Sequence, residues 1–200
     1  MEALSESDRA GRDAAIRAIL PLVPRSGWSP CTIAAGLRAA CLPEDEAAFL
    51  FPRGVTSAVE AWIDLADREM AEAAGDLTAL RIPARIRTLV AARLHLLAPH
   101  KEAARLAMAL LALPWNVPTG LRCTARTASA SWYAAGDSSA DISWYTRRMS
   151  LAAIYGATLA YWLRDDSEET GPALDFLDRR LAGLARFQRC RKRAPAAKAA

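Results

Sequence analysis

The sequence predicts an all-α fold of about nine helices, and three observations lead to that class. Apolar residues recur at spacings of three and four along most of the chain, which is the helical period, and no stretch shows the alternation of a half-buried strand. N-cap serines, prolines and glycines separate these segments where helices would begin and end. The 200 residues, 52% of them hydrophobic, are enough to bury one sizeable core.

Residues 1–75 are predicted to form a helix-turn-helix-like head. Ser29 is a favourable N-cap and Pro30 a favourable first helical residue, so a helix should begin there. Gly75 follows a long apolar pattern and should end the helix that precedes it. The four predicted helices of the head are Ala10 to Leu22, Ser29 to Ala40, a short one opened by Pro43, and Val55 to Ala74.

Residues 76–188 are predicted to form a helical bundle, followed by a basic, disordered tail over 189–200. The first two helices of the bundle should pack as an antiparallel hairpin. Eight lysines and arginines and no acid occupy 179–200, so the net charge of +4 becomes −4 for the rest of the chain. The predicted bundle helices are Pro83 to Leu97, one starting at Pro99, Thr119 to Tyr133, one beginning near Ser139 and ending before Asp165, and one capped by Thr170.

The stretch from Ser131 to Leu163 is the most informative part of the chain, because aromatic residues crowd around a helix start. Ser138 and Asp141 form a capping-box-like pair, since both side chains accept from free backbone N–H groups. Large rings at an otherwise polar helix entrance suit a partner surface, whereas inward packing is the ordinary alternative for an aromatic pair. The aromatics and arginines that follow the capping pair are Trp144, Tyr145, Arg147 and Arg148.

The sequence contains none of the motifs that carry common catalytic chemistry. It has no glycine-rich phosphate loop, no HExxH, no ExxH pair for di-iron, and no serine or cysteine nucleophile with a histidine base. The cysteines lack a CxxC pair, and the histidines lack partners at ligand spacing. We therefore predict no enzyme activity, no catalytic residue, no metal and no cofactor. The residues concerned are Cys31, Cys41, Cys123, Cys190, His95 and His100.

No segment is predicted to span a membrane or to target the chain. The longest uncharged runs, 106–121 and 149–163, are shorter than the roughly 18–20 residues that a span needs. The first fifteen residues have no apolar h-region and already carry acids, unlike a secretory signal or a transit peptide. The chain is therefore expected to stay where it is made.

Nucleic-acid binding is an alternative that the head raises. Residues 27–36 have the pattern of the first part of a TetR-type helix-turn-helix. The recognition helix would be Pro43 to Phe51, and its exposed residues at 44–46 are all acidic, with no basic residue before Arg53, so it would repel phosphates. We therefore predict no nucleic-acid partner, and a TetR-type transcriptional regulator remains the alternative function.

Four motifs carry a resemblance to a known family. The stretch WYAAGDSSADISWYTRRMSLAAIY (132–155) is preceded by LPWNVP (113–118) and followed by a DxS loop and ALDFLDRRL (173–181). In this order and spacing the motifs resemble the coenzyme Q (ubiquinone) biosynthesis accessory family, whose members have a TetR-like fold without acting as repressors. The resemblance extends back to Gly27.

The resemblance implies a homodimeric, lipid-binding accessory protein. It would bind a polyprenylated quinone intermediate, or a phospholipid, and present the intermediate to the di-iron hydroxylase that acts late in the pathway. Residues 76–188 would then be its lipid-binding and dimerisation bundle. It would be cytoplasmic and peripherally associated with the inner membrane of a bacterium, rather than in the mitochondrial matrix, because a mitochondrial member would carry a transit peptide.

The resemblance also implies which residues form each site. The partner-binding patch would consist of Asp141, Trp144, Tyr145, Arg147 and Arg148. The lipid pocket would be lined by Leu94, Leu97, Leu106, Leu110, Trp132, Met149, Ala152 and Tyr155. If the last helix continues through Arg193, the membrane-contact residues would be Leu181, Leu184, Arg186, Phe187 and Arg189.

Overall fold

The computed structural model describes residues 5–136, 142–167 and 169–193. Within these ranges the chain forms ten α-helices, two of them only four residues long, and two 3-10 segments, with no β-strand. The predicted all-α class is confirmed. The helices are α1 (Glu6–Ile19), α2 (Val23–Ser26), α3 (Pro30–Ala39), α4 (Ala47–Leu50), α5 (Val55–Ala74), α6 (Ile82–Leu97), α7 (Lys101–Leu111), α8 (Val117–Ala134), α9 (Ile142–Arg164) and α10 (Gly171–Arg193), with 3-10 segments at Glu44–Glu46 and Ala98–His100.

Local capping signals account for several helix ends in the head. Ser29 accepts a hydrogen bond from the Thr32 N–H at 3.2 Å, which confirms the predicted start of α3. Helix α5 ends at Gly75, whose φ of 64° is a left-handed conformation that glycine adopts at little cost. Helix α1 begins at Glu6, earlier than predicted, because the side chain of Ser5 caps it.

The segment at the place of a recognition helix is broken. The continuous helix predicted over Pro43 to Phe51 is wrong, since Glu44–Glu46 form a 3-10 turn and only four residues of α-helix follow. Phe51 leaves the helical conformation with a φ of −130°, and it precedes Pro52, which disfavours helix at its neighbour. The head therefore presents a short, acidic corner where a DNA-binding protein would present a helix.

One hydrophobic core runs from the head into the bundle. Ile16 of α1 and Leu94 of α6 belong to the same cluster of buried side chains. At the junction the Trp28 indole N–H donates to the Ala103 carbonyl at 3.0 Å, and the Trp28 ring centre lies 5.7 Å from that of Trp62. The head is thereby joined to the bundle through buried side chains.

Helix α7 does not pair with α6, and the predicted antiparallel hairpin is wrong. The 3-10 turn at Ala98–His100 lies between the two helices, and α7 packs against α2, α5, α8 and α9. Its buried side chains, Ala103, Ala104 and Ala107, are small and let those neighbours approach closely. Helix α7 thus becomes one wall of an internal cavity.

Gly36 allows α1 and α3 to pack closely. A Cβ at this position would lie 2.2 Å from Cγ1 of Ile19 and 3.2 Å from its Cα, so one of the two helices would have to move. We therefore expect Gly36→Ala to lower the free energy of unfolding. The overpacking cost of about 1–3 kcal/mol exceeds the roughly 1 kcal/mol that alanine gains over glycine inside a helix.

Gly183 in α10 is the matched control, because a Cβ there meets nothing within 4 Å. Gly183→Ala is expected to raise the free energy of unfolding by up to about 1 kcal/mol. Denaturant titration of the two variants beside the native protein measures both shifts. Equal shifts would show that the contact between α1 and α3 does not constrain position 36.

Candidate functional site

The bundle contains an apolar cavity of about 290 Å³ between α5, α6, α7, α8 and α9. One end is closed by buried side chains, including Trp62, Leu97 and Tyr155. The other end opens at the start of α8, where Val117 is 39% and Leu121 is 66% exposed. The remaining lining residues are Ile63, Arg93, Ala104, Ala107, Met108, Leu111, Ala112, Gly120, Cys123, Thr124, Thr127 and Leu159.

The turn between α7 and α8 shapes the open end of the cavity. The side-chain amide of Asn116 donates to the Leu110 carbonyl at 3.0 Å and so satisfies an acceptor at the end of α7. Pro118 lies in the first turn of α8, where its missing N–H costs nothing. Gly120 lies close to Leu111, whose Cβ would be 3.4 Å from an added Cβ. The LPWNVP motif therefore places Val117 at the rim of the cavity.

Four polar residues, which we call the polar floor, lie at the closed end: Asp67, Arg93, Thr127 and Tyr155. Arg93 is only 2% exposed, and it donates from Nε to the Tyr155 hydroxyl at 2.7 Å and from Nη1 to Asp67. Thr127 donates to the second carboxylate oxygen of Asp67 at 3.2 Å. All but Asp67 line the cavity. The polar floor is thus a hydrogen-bonded unit at one end of an otherwise apolar space.

Burial and contacts among the four residues together determine the charge states of the polar floor. It raises the pKa of Tyr155, although Arg93 lowers it, so the phenol keeps its proton at neutral pH. Burial opposes the charge of Arg93, but Tyr155 and Asp67 outweigh that effect and raise the pKa of Arg93. Burial also raises the pKa of Asp67, against the opposing effects of Arg93 and of the hydrogen bond from Thr127. The floor therefore contains one buried cation beside one acid.

The eight residues predicted to line a lipid pocket occupy three environments. Those that line the cavity are Leu97 and Tyr155; those packed in or against the cores are Leu94, Leu106, Leu110, Trp132 and Ala152; the exposed one is Met149. Sequence reasoning missed Arg93, which lies seven residues after Ile86 and four before Leu97. That spacing places a charged residue on the apolar face of α6, and such a residue was the available signal.

A second, more polar groove of about 930 Å³ lies between α1, α4, α5 and α8. Several arginines line it, but acids of the same groove already engage them. Arg12 lies 3.2 Å from Asp64, and Arg53 pairs with Glu60. Partly exposed ion pairs of this kind contribute no more than about 1 kcal/mol each. The groove is therefore a network of internal ion pairs, and the apolar cavity is the stronger candidate for a binding site.

The start of α9 carries the predicted partner-binding patch. Asp141, together with the cap that it was predicted to form with Ser138, lies outside the described residues, and so does the side chain of Trp144. Tyr145 is 70% exposed, and Met149, one helical turn further, is 66% exposed. These two side chains form an apolar surface on α9, which we call the α9 patch.

The two arginines of the predicted patch are more buried than the two side chains of the α9 patch. Arg147 is half-buried, and its guanidinium carbon lies 5.9 Å from the ring centre of Trp132 in α8. A cation–π contact of this kind contributes about 0.5–1 kcal/mol. Arg148 is 8% exposed and lies in the interior. Both arginines therefore pack α9 against its neighbours.

Arg85 fixes the end of α8, just before the chain enters the patch region. It donates to three backbone carbonyls, those of Leu80 at 2.8 Å, Thr78 at 2.9 Å and Ala135 at 2.9 Å. Gly136 has a φ of 83°, and an added Cβ would lie 3.1 Å from Nη1 of Arg85. The backbone at Ala135 and Gly136, within the motif at 132–155, thus passes close to the Arg85 guanidinium.

The predicted membrane-contact residues lie on α10. Leu181 and Leu184 are half-buried, whereas Arg186 is exposed. Leu181 packs against the core described above and against a second cluster of buried side chains that includes Leu89. The side chains of Phe187 and Arg189 lie outside the described part of the chain, although the helix itself continues beyond them. Of the helices that the structure describes, none is long and apolar enough to cross a bilayer.

Comparison with solved structures defines the class of the fold. The crystal structure of the TetR transcriptional regulator from Nitrosomonas europaea ATCC 19718 matches with a TM-score of 0.67, covering 87% of this chain and 97% of that one. The sequence identity is 24%, so the likeness shows the fold alone. The protein is an all-α protein of TetR-like fold, as predicted.

Sequence comparison then shows which family the chain resembles. Residues 117–188, which include α8, α9 and most of α10, match the COQ9 family model. The mitochondrial ubiquinone biosynthesis proteins COQ9-A of Xenopus laevis and COQ9 of Homo sapiens are 31% and 29% identical to this chain, each over 185 residues. Each alignment covers 88% of this chain and 58% of the relative, so the chain spans less than two thirds of their length. The chain is thus similar in sequence to the COQ9 family, which confirms the resemblance drawn from its motifs.

Proposed function

We propose that this protein is a lipid-binding accessory protein of ubiquinone biosynthesis, which holds a polyprenylated quinone intermediate and presents it to the late-acting di-iron hydroxylase. The observation that carries the proposal is the apolar cavity with its polar floor. Its COQ9 relatives are named as ubiquinone biosynthesis proteins, which supports the pathway. The proposal assigns the protein a binding role and no catalytic step.

The walls of the cavity suit a hydrocarbon chain. Away from the polar floor the lining is mostly apolar, as at Leu97, Met108 and Leu159. Burial of each CH₂ contributes about 0.8 kcal/mol relative to water, so a dry cavity offsets part of what a lipid loses on leaving a bilayer. Val117 and Leu121 continue the apolar surface outward at the opening, where the rest of a long tail would lie.

Assembly and location are further parts of the proposal. We propose that the protein is a homodimer in peripheral contact with a membrane, where the exposed Arg186 and its basic neighbours on α10 would meet anionic headgroups. The cytoplasmic face of a bacterial inner membrane remains the location that we predict. The relatives, by contrast, are named as mitochondrial proteins.

Lipid that copurifies with the protein tests the proposal. Ala107 on α7 is buried and lines the cavity, whereas Ala109 on the same helix is exposed. Organic extracts of the native protein and of Ala109→Phe should contain isoprenoid or phospholipid at equal molar ratios, measured by mass spectrometry. Ala107→Phe should reduce that ratio at least about fivefold, because its ring occupies space that the lipid needs.

Circular dichroism and melting temperatures establish that both variants remain folded. Background levels of lipid in all three samples would contradict a lipid site in this protein. Equal lipid in the native protein and in a folded Ala107→Phe variant would place the lipid outside the cavity.

A TetR-type regulator is the alternative function, and the broken acidic segment at Glu44–Glu46 disfavours it. Arg38 beside this segment is bound to Glu44 at 2.5 Å, so its charge is partly neutralised within the head. A specific, salt-sensitive complex of the native protein with duplex DNA would support the regulator instead.

A further inference from the structure

The polar floor presents hydrogen-bond donors to the cavity. Arg93 uses Nε and Nη1 within the protein, and its Nη2 forms no hydrogen bond with any residue that the structure describes. Tyr155 accepts from Arg93, and the phenol's own proton has no acceptor among the described residues. Asp67, the carboxylate of the cluster, is occupied by Arg93 and Thr127 and does not line the cavity. Two buried donors therefore remain for a ligand.

The charges around these donors favour a neutral ligand. Arg93 and Asp67 already compensate each other inside the protein, and Arg126, whose Nε lies 3.8 Å from Asp67, itself lies 3.9 Å from Asp64. A carboxylate or phosphate in the cavity would add a negative charge near Asp67 in a site with little water, which costs several kcal/mol by desolvation. A carbonyl or ether oxygen accepts the same hydrogen bonds without adding a charge. The floor is therefore suited to a neutral acceptor oxygen.

The size and shape of the cavity determine which end of the ligand enters. Its volume of about 290 Å³ corresponds to roughly ten water-sized groups at ~30 Å³ each, which is the scale of one substituted ring. A long prenyl tail exceeds that volume. The closed end is polar and the open end, at Val117 and Leu121, is apolar. A ring at the floor and a tail at the opening match both ends.

We infer that Arg93 and Tyr155 determine ligand specificity: the cavity binds a neutral amphiphile ring first, with an acceptor oxygen of the ring held by Arg93 Nη2 and the Tyr155 hydroxyl. This inference rests on the proposed function and names the chemistry that the site selects. A ring bound at the polar floor lies inside this protein, where the iron centre of another enzyme cannot reach it. This bound arrangement therefore corresponds to the holding step of the proposed function. Presentation requires the ring to leave through the opening at the start of α8.

Three probes with matched ten-carbon chains test this inference: 2-decyl-1,4-benzoquinone, decylbenzene and decanoate, each competing with Nile red for the native protein. Decylbenzoquinone should bind at least about tenfold more tightly than decylbenzene, since two buried hydrogen bonds contribute about 0.5–1.5 kcal/mol each. Decanoate should bind no more tightly than decylbenzene.

Variants of the floor locate the effect. Tyr155→Phe removes one donor and keeps the ring, while Arg93→Lys keeps a cation beside Asp67 and loses the second donor arm. Each should lower the preference for the quinone about fivefold and change the affinity for decylbenzene less than about twofold. Thr158→Val is the control, because Thr158 is buried on the same helix as Tyr155 but donates to the Ile154 carbonyl of that helix and does not line the cavity. It should leave the preference unchanged.

The outcomes separate the inference from the proposed function. Equal affinities of the native protein for decylbenzoquinone and decylbenzene would overturn the inference and leave the lipid site standing. Failure of every probe to displace Nile red would overturn both. Tighter binding of decanoate would show an anion site, and an unchanged preference in both floor variants would show that other residues determine specificity; either result overturns the inference.

Discussion

Asp67→Ala is expected to lower the free energy of unfolding by about 3–5 kcal/mol, a large fraction of the stability of a domain of this size. The substitution leaves the Arg93 guanidinium buried, 2% exposed, without its carboxylate. It also removes the acceptor of the Thr127 hydroxyl. A buried charge without a partner pays its full desolvation cost, and this cost dominates the effect. Denaturant titration followed by circular dichroism measures it.

Glu69→Ala is the matched control, because Glu69 lies on the same helix and its side chain is about one-third exposed. Its ion pair is with Arg17 at 2.7 Å, and we expect its loss to cost no more than about 1 kcal/mol. The double variant Asp67→Leu with Arg93→Met should recover most of the stability, because it removes both charges together. A loss below about 1 kcal/mol for Asp67→Ala would show that the pair is solvated or rearranges easily.

Tyr145→Ala is expected to abolish capture of the proposed partner, the di-iron hydroxylase, while changing the melting temperature little. Tyr145 is 70% exposed in the α9 patch, so its removal leaves no cavity in the core. Exposed aromatic side chains that fill a partner's pocket typically contribute 2 kcal/mol or more to binding, about thirtyfold in affinity. A pull-down of the hydroxylase from the same organism, followed by titration of the purified pair, measures the effect.

Phe49→Ala is the control for this variant. Phe49 is 57% exposed on α4 of the head, so it matches Tyr145 as an exposed aromatic on a different surface. It should retain full capture. Undiminished capture by Tyr145→Ala would move the partner surface away from the α9 patch, and a large fall in melting temperature would show that Tyr145 supports the fold.

Features of the fold that depend on contacts within one helical turn were predictable from the sequence, whereas features that depend on packing between distant segments were not. Ser29 and Gly75 act through hydrogen bonds and dihedral angles within one turn, and their effects on α3 and α5 were read directly from the sequence. The break at Glu44–Glu46 and the separation of α6 from α7 depend on packing between distant segments. Periodicity contains no information about those contacts, and both predictions were wrong.

The candidate site shows the same division at the level of single side chains. Leu94 and Leu97 lie one turn apart on the apolar face of α6, but Leu94 fills the core and Leu97 lines the cavity. An apolar pattern identifies the face and cannot separate these two environments, because both require the same hydrophobicity. Arg93 was recognisable as an anomaly on that face, whereas its partners on α5 and α9 required the tertiary structure.

The continuous core limits how this protein can vary during evolution. Since Ile16 of the head and Leu94 of the bundle belong to one cluster of buried side chains, loss of the head would uncover apolar surface on α6. The helices that resemble those of a DNA-binding regulator are therefore retained as structural support, whatever ligand or partner the bundle serves. The acidic corner at 44–46 contributes no buried side chain, so substitutions in this turn should leave the core unchanged.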